Sequence, residues 1–363
     1  MYAILSMHMA NELLSLPVAA VTLLGAAAAV AVAARRSAKS LGTDRMPLMG
    51  VMGAFVFAAQ MVNFSLPLMP GTSGHLGGGV LLAILLGPAA AIVTMTAILI
   101  VQCLLFQDGG LLALGCNIIN MGIVPCLLGW AVYRIVLGNI KSAPPWRQYI
   151  GAWAACVIGV AAGAAMVPIQ AGVSGVLRIP LGQFLAVMVG VHLLIGLVEG
   201  AVTFAVLAYL RRVSPLLVGL GATQAVGRLG RGAVLASVAF TALLLAGVVS
   251  WFASASPDGL EWSYRARSYG LSGRAVAPPS GAVAAVEGWQ ARWSLMTGYT
   301  RRPAALGQTP ADAGGQDAPA ETWPNVDGWG SLAGLLGTLA TLGAVYLLAV
   351  LVRRRFSRPG AAA

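Results

Sequence analysis

Long apolar runs with basic residues gathered at their ends limit most strictly what this chain can fold into. Runs long enough to cross a bilayer, roughly 17–25 residues each, occur at Pro17–Ala34, Pro47–Met61, Leu111–Leu137, Ile150–Ile169 and Leu181–Leu210, with two more at Ala233–Phe252 and Leu332–Val352. Hydrophobic residues make up 58% of the chain and charged residues 9%, which excludes a water-soluble enzyme and predicts an all-α polytopic membrane protein. The net charge of +11 is carried at the ends of apolar runs, as topology determinants are, so the partner it implies is the lipid bilayer and not nucleic acid. Cys103, Cys116, Cys126 and Cys156 fall inside apolar segments without CxxC spacing and read as small core residues. The opening stretch MYAILSMHMANELLSLP has neither a positive n-region nor a cleavage site, which argues against a secretory signal.

The segment Leu76–Phe106 fits either one long tilted helix or two shorter ones broken at Gly87-Pro88. Charge distinguishes them. With Arg35, Arg36 and Lys39 cytoplasmic, the amino terminus and the loop Asn63–Gly74 are external. Two crossings then place Arg134, Lys141, Arg147, Arg211, Arg212, Arg228, Arg231 and the tail Arg353–Arg355 inside, whereas one crossing puts most of them outside; a re-entrant pair of half-helices keeps the same parity. The expected architecture is a bundle of about seven transmembrane helices in residues 1–215, a cytoplasmic linker at 216–232, and a two-helix module at 233–363. That module has spans at 233–252 and 332–352, a cytoplasmic carboxyl terminus, and an external loop at 253–330. The loop is rich in Ala, Gly and Pro and is expected to be poorly ordered in large part.

The three histidines carry the chemistry. Pro67-Leu68-Met69-Pro70-Gly71-Thr72-Ser73-Gly74-His75-Leu76-Gly77-Gly78-Gly79 is dense in glycine, which permits close backbone approach and irregular turns, so His75 reads as a metal ligand or as the histidine of a plain capping loop. Met7-His8-Met9 directly precedes the first span. In a chain beginning at Met7, the amine, the His8 amide and the His8 imidazole would chelate one metal, and His75 would complete a tetragonal nitrogen site suited to Ni(II) or Cu(II). Met1–Ser6 is too short for a signal, so a mis-assigned start or removal of this extension is expected. His192 and Glu199 lie seven residues apart on one helix face, and a structural role, hydrogen-bonded to neighbouring helices or facing a partner subunit, is favoured over direct ligation. Asn117 and Asn120 read as groups that hydrogen-bond around a site rather than ligate, and Ser73 and Asp108 join them as supporting candidates. No HExxH and no GxxxxGK[ST] is present, so neither a zinc protease nor an ATP site is carried here.

Over residues 7–215 the chain resembles the CbiM/NikM family, the substrate-specific membrane components of cobalt and nickel energy-coupling factor transporters. The resemblance rests on Met7-His8, Gly71-Thr72-Ser73-Gly74-His75, Leu85-Leu86-Gly87-Pro88, Phe106-Gln107-Asp108-Gly109-Gly110-Leu111, Asn117 with Asn120-Met121-Gly122, and His192 with Glu199-Gly200. It implies metal ligation by the Met7 amine, the His8 amide and imidazole, and the His75 imidazole, with the hexapeptide before Met7 a departure. Ser256-Pro257-Asp258-Gly259-Leu260-Glu261 resembles the PDGLE motif of the small CbiN/NikN component, implying a natural fusion whose second module assists metal loading.

The reading is therefore a non-enzymatic transport component of a bacterial inner membrane. Its substrate is Ni(II), with Co(II) next, and cobalt-specific uptake for cobalamin synthesis is the alternative. The resemblance implies partners: a coupling subunit of the CbiQ/NikQ type and ATPases of the CbiO/NikO type. A non-transporting membrane metal sensor is the reading from another class, and an intramembrane enzyme would have only His192 with Glu199 to work with.

Overall fold

The computed structural model describes residues 8–40, 45–66, 68–138, 144–214, 230–264, 275–300 and 323–356. After a 3-10 turn at Asn11–Leu13, the first module contains α1 (Leu16–Ser40), α2 (Met46–Gln60), the strands β1 (Phe64–Ser65) and β2 (Ser73–Gly74), α3 (Gly79–Leu86), α4 (Pro88–Phe106), α5 (Leu114–Leu137), α6 (Pro145–Val173) and α7 (Leu181–Val213). The second contains α8 (Arg231–Gly247), the short α9 (Gly259–Ser263), α10 (Gly281–Trp293) and α11 (Gly328–Phe356). This is the expected all-α polytopic fold. Among the described residues α1, α4, α5, α6, α7 and α11 are long and apolar enough to cross a membrane, and α2 and α8 are shorter apolar helices. The linker expected at 216–232 falls almost wholly outside the described residues.

The ambiguous segment resolves into unequal parts. Gly87 (φ 84°) breaks the chain and Pro88 opens α4, as the Gly-Pro pair predicts. But α3 is eight residues long, about 12 Å at 1.5 Å per residue. It makes a half-crossing beside the full crossing of α4, and the two do not form a pair of complete spans. Its start lies inside the bundle: a Cβ on Gly79 would come within 2.7 Å of the Met121 carbonyl of α5. The loop preceding α3 must therefore descend among the helices, which carries His75 down with it.

The two modules share one core. α8 and α11 pack on α2, with α11 also against α1 and α4. Small residues allow that approach: a Cβ on Gly53 would stand 3.0 Å from Val345, and one on Gly337 would overlap the Phe57 ring. The Arg35 guanidinium sits 5.8 Å from the centre of the Phe356 ring, so the basic ends of α1 and α11 share one face of the bundle.

The loop expected at 253–330 is described only at 253–264, 275–300 and 323–330. Its described parts form α9, α10 and a 3-10 turn at Thr297–Tyr299, all docked on the first module. Leu177 and Val276 form an antiparallel bridge, and the Leu295 and Met296 amides both donate to the Leu105 carbonyl. Segments of poor local propensity are held here by partners distant in sequence.

Candidate metal centre

The floor of the site is built by polar groups inside apolar helices. Glu199, buried on α7, accepts from the amides of Gly77 (2.7 Å) and Gly78 (3.1 Å), pinning the descending loop. Gly78 needs its missing side chain, because φ is 76° and a Cβ would overlap Val56. From the other side Gln60 donates to the Gly77 carbonyl, and Gln102 donates to Gln60. Asn117 clasps the backbone of Met9 by accepting from its amide (2.9 Å) and donating to its carbonyl (3.2 Å). Asn120 and Gln170 exchange two hydrogen bonds of 2.8 Å. Asn120 lies in, and Asn117 directly precedes, the stretch where α5 widens into π-helical turns, at Ile118–Ile123 and Pro125–Gly129, a distortion that recurs at functional sites.

Between these anchors His8 and His75 face one another with ring centres 5.8 Å apart. They line one buried cavity of about 80 Å³ together with His192, Glu199, Asn117, Asn120 and Asp258. Nδ1 of His8 is 2.8 Å from Oδ1 of Asp108, with both side chains fully buried. Asp108 reaches this position because Gln107 ends α4 in a left-handed conformation (φ 54°), a costly choice for a residue other than glycine. The Tyr299 hydroxyl donates to Oδ2 of Asp108 (2.6 Å) while its ring stacks on Phe106. Burial works to raise the Asp108 carboxyl, but the adjacent His8 and the Tyr299 hydroxyl hold it below the ordinary carboxylate value. Burial, reinforced by the Asp108 charge, pushes the Tyr299 phenol well above its usual value, so it remains the donor.

The other two imidazoles are oriented by carbonyls. Nδ1 of His75 is 3.2 Å from the Leu76 oxygen, and Nδ1 of His192 is 2.8 Å from the Met188 oxygen. A carbonyl only accepts, so Nδ1 carries the proton and Nε2 the lone pair in each neutral ring. That is the usual support of metal-binding histidines, and Asp108 supplies its carboxylate version to His8. A small chelate ring closed by the His8 amide would use Nδ1, which is held here by Asp108. Among the described residues no three His, Cys, Asp or Glu side chains stand together as a ready metal cluster. The Met7 amine falls outside the described residues.

The expected supporting residues divide. Asp108, Asn117 and Asn120 lie around the site, Asp108 and Asn117 directly on the His8 segment. Glu199 bonds to the loop before α3 and not to a neighbouring helix. Ser73 faces away from the cavity: its hydroxyl and amide donate to the Ser256 and Pro257 carbonyls. The roof is consequently the 256–260 segment rather than the loop Asn63–Gly74 alone. Three groups escape a reading of the sequence. Asp258 lies in the cavity wall, with Oδ2 3.9 Å from Nε2 of His75. Burial pushes its carboxyl up to about 7, although the Glu261 amide bonded to Oδ1 opposes the rise. Gln290 of α10 accepts from the Leu111 amide and donates to the Gly109 carbonyl, and Tyr299 completes the clamp on Asp108. Asp258 stands in a recognisable motif, whereas nothing in the local sequence marks Gln290 or Tyr299.

Fold and site together define a polytopic helical membrane protein enclosing an imidazole-lined cavity roofed by a second module. The chain belongs to the CbiM family, cobalt uptake substrate-specific transmembrane region, whose model matches residues 8–217, and a PDGLE domain matches residues 232–354. It is 31% identical over 292 residues to the fused nickel transport protein NikMN of Rhodobacter capsulatus, covering 76% of this chain and 83% of that one. It is 32% identical over 254 residues to the cobalt transport protein CbiM of Geobacter sulfurreducens, covering 66% and 69% respectively. A crystal structure of a truncated transition metal transporter matches with 32% identity and a TM-score of 0.49, covering 56% of this chain and 97% of that one.

Proposed function

We propose that this chain is the substrate-capturing membrane component of an energy-coupling factor transporter that imports Ni(II), with Co(II) as the alternative cargo. The observation that carries the reading is the pair of imidazoles, His8 and His75, facing each other across one buried cavity while Asp108 supports the first. Imidazole suits nickel and cobalt among the divalent first-row ions. His8, His75 and, in a chain that begins there, the Met7 amine are the ligands. With Nδ1 of His8 engaged by Asp108, the ring offers Nε2. Asp108, Asn117, Asn120, His192, Glu199 and Ser73 position these groups and the elements that bear them.

The ion enters from the external face, exchanges its waters for nitrogen and is enclosed beneath the PDGLE segment. Release to the cytoplasm follows reorientation of the bundle by a coupling subunit of the CbiQ/NikQ type, energised by CbiO/NikO-type ATPases. The membrane is the bacterial inner membrane, with the basic ends of α1 and α11 cytoplasmic. The nickel assignment over cobalt draws on the likeness to NikMN and on the nitrogen-rich ligand set.

The test is intact mass together with elemental mass spectrometry on the membrane-purified chain, wild type and His75→Ala. About one nickel per wild-type chain, lost in the variant, is the expected result, and a mass starting at Met7 adds the amine. Unchanged metal content in His75→Ala sinks the site.

A further inference from the structure

Among the described residues of this region, one buried carboxylate oxygen makes no hydrogen bond. Asp258 is 5% exposed, and its Oδ1 caps α9 by accepting from the Glu261 amide at 2.7 Å. Serine would cap as well without a buried carboxylate. Oδ2 is buried and makes no hydrogen bond among the described residues, and Nε2 of His75 lies 3.9 Å from it.

The position of Asp258 is equally specific. A second, more open pocket of about 260 Å³ lies on the outer side, lined by Asn63, Ser254, Glu261, Tyr299, Asn325 and Asp327 among others. Of the described residues only Asp258 lines both this pocket and the histidine cavity of about 80 Å³. The outer lining includes the carboxylates of Asp258, Glu261 and Asp327 and several hydroxyl and amide groups among apolar side chains, whereas the inner cavity offers imidazole nitrogen. Carboxylate and carbonyl oxygen suit a cation that still carries water, and imidazole suits the same cation once water is shed.

We propose that Asp258 is a transfer ligand for the cation: Oδ2 takes a hydrated divalent ion from the outer pocket and hands it to His75. A metal–oxygen bond to Oδ2 forms as a bound water leaves, and it breaks as Nε2 of His75 takes that coordination position. The carboxylate belongs to the second module and the receiving imidazole to the first, so the PDGLE segment contributes a ligand on the path as well as a cover. This rests on the metal-capture reading above and assigns the route by which that site fills.

Asp258→Asn and Asp258→Ser both keep an oxygen to cap α9 and remove the charge, and either reads the proposal if the other fails to fold. Chelator-stripped full-length chain is mixed with NiCl2, quenched with excess EDTA at intervals, desalted, and its metal counted by elemental mass spectrometry. Removal of the charge is expected to slow filling about tenfold or more, with weaker dependence on added NaCl and an unchanged final nickel content. Filling at the wild-type rate overturns the proposal. Loss of the final content at an unchanged melting temperature also overturns it, making Asp258 a resident ligand. Wild-type chain that takes up no nickel or cobalt defeats the metal-capture reading itself, a different result from either.

Discussion

The floor and the roof of the cavity are built differently. The floor is made from groups inside spanning helices, each saturated at short range: Glu199 takes two amides of the descending loop, Asn117 takes both backbone groups of Met9, and Asn120 pairs twice with Gln170. The roof is made from α9, α10 and the turn carrying Tyr299, short elements that reach the site through single side chains. Where no water replaces a lost partner, floor contacts are costly to break. Roof contacts to the site rest on single side chains, so each costs less to break. The proposed function would divide along the same line, with the floor setting ligand geometry and the roof governing access.

The largest effect is therefore expected at Glu199. Glu199→Leu leaves the Gly77 and Gly78 amides without acceptors, at about 1–3 kcal/mol each, and frees the loop that positions His75. Melting temperature should fall by several degrees and nickel binding should be lost, read by thermal unfolding in detergent and by metal content. A variant with wild-type stability and full nickel occupancy would show that the floor does not fix the loop.

Protons should act almost as strongly. Protons compete with the metal for the ring nitrogens of a histidine site, so nickel affinity should fall as pH is lowered from 8 to 5. Asp108 is held below the usual carboxylate value, so it stays ionised across that range and adds nothing to the slope. Asp258, pushed up to about 7, ionises as pH rises through that value; as a transfer ligand it bears on the rate of filling and not on the equilibrium affinity. Calorimetric titration with NiCl2 at several pH values measures this, and a flat affinity over the range would rule out nitrogen ligands.

Much of the floor was legible from the residues alone. An apolar helix that keeps a glutamate and a histidine, or two asparagines three apart, advertises buried polar partners because lipid tolerates nothing else. The Gly-Pro pair at 87–88 announced the break, although α3 proved a half-crossing, since its start depends on how deeply the preceding loop sinks and that is set by Glu199 and Gln60 far along the chain. The roof was hidden for the opposite reason. Gln290 and Tyr299 lie in a stretch of Ala, Gly and Pro with no strong periodicity, and their roles exist only once α10 docks on Cys103, Gly109 and Leu111. The motif at 256–261 was visible, but its register against Ser73, which lowers Asp258 beside His75, is a tertiary fact.

A smaller effect, 10–100-fold in affinity, is expected for Asp108→Ala, the range seen when the partner of a metal-binding histidine is removed. It also distinguishes two ways of using His8. If Nε2 binds the metal, Asp108 orients the ring and its loss weakens binding. If Nδ1 closes a small chelate ring with the His8 amide, Asp108 competes for the same nitrogen and its loss strengthens binding. The Nδ1 contact of 2.8 Å predicts the first outcome.

The smallest effect belongs to the roof. Tyr299→Phe keeps the stack on Phe106 and removes only the hydroxyl that donates to Oδ2 of Asp108. The carboxylate retains its contact with His8, and because the lost bond, about 1.5–3 kcal/mol for a charged acceptor, is present with the site empty or filled, most of the loss falls on stability and little on affinity. The kinetics should be more revealing. On the proposed function the segment carrying Tyr299 covers the ion's path, so loosening it should raise the rates of nickel loading and chelator-driven loss together, with affinity falling only slightly. A drop in affinity as large as that of Asp108→Ala, without faster exchange, would mean that Tyr299 is part of the floor in all but sequence position, and the division between a fixed floor and a yielding roof would have to be redrawn.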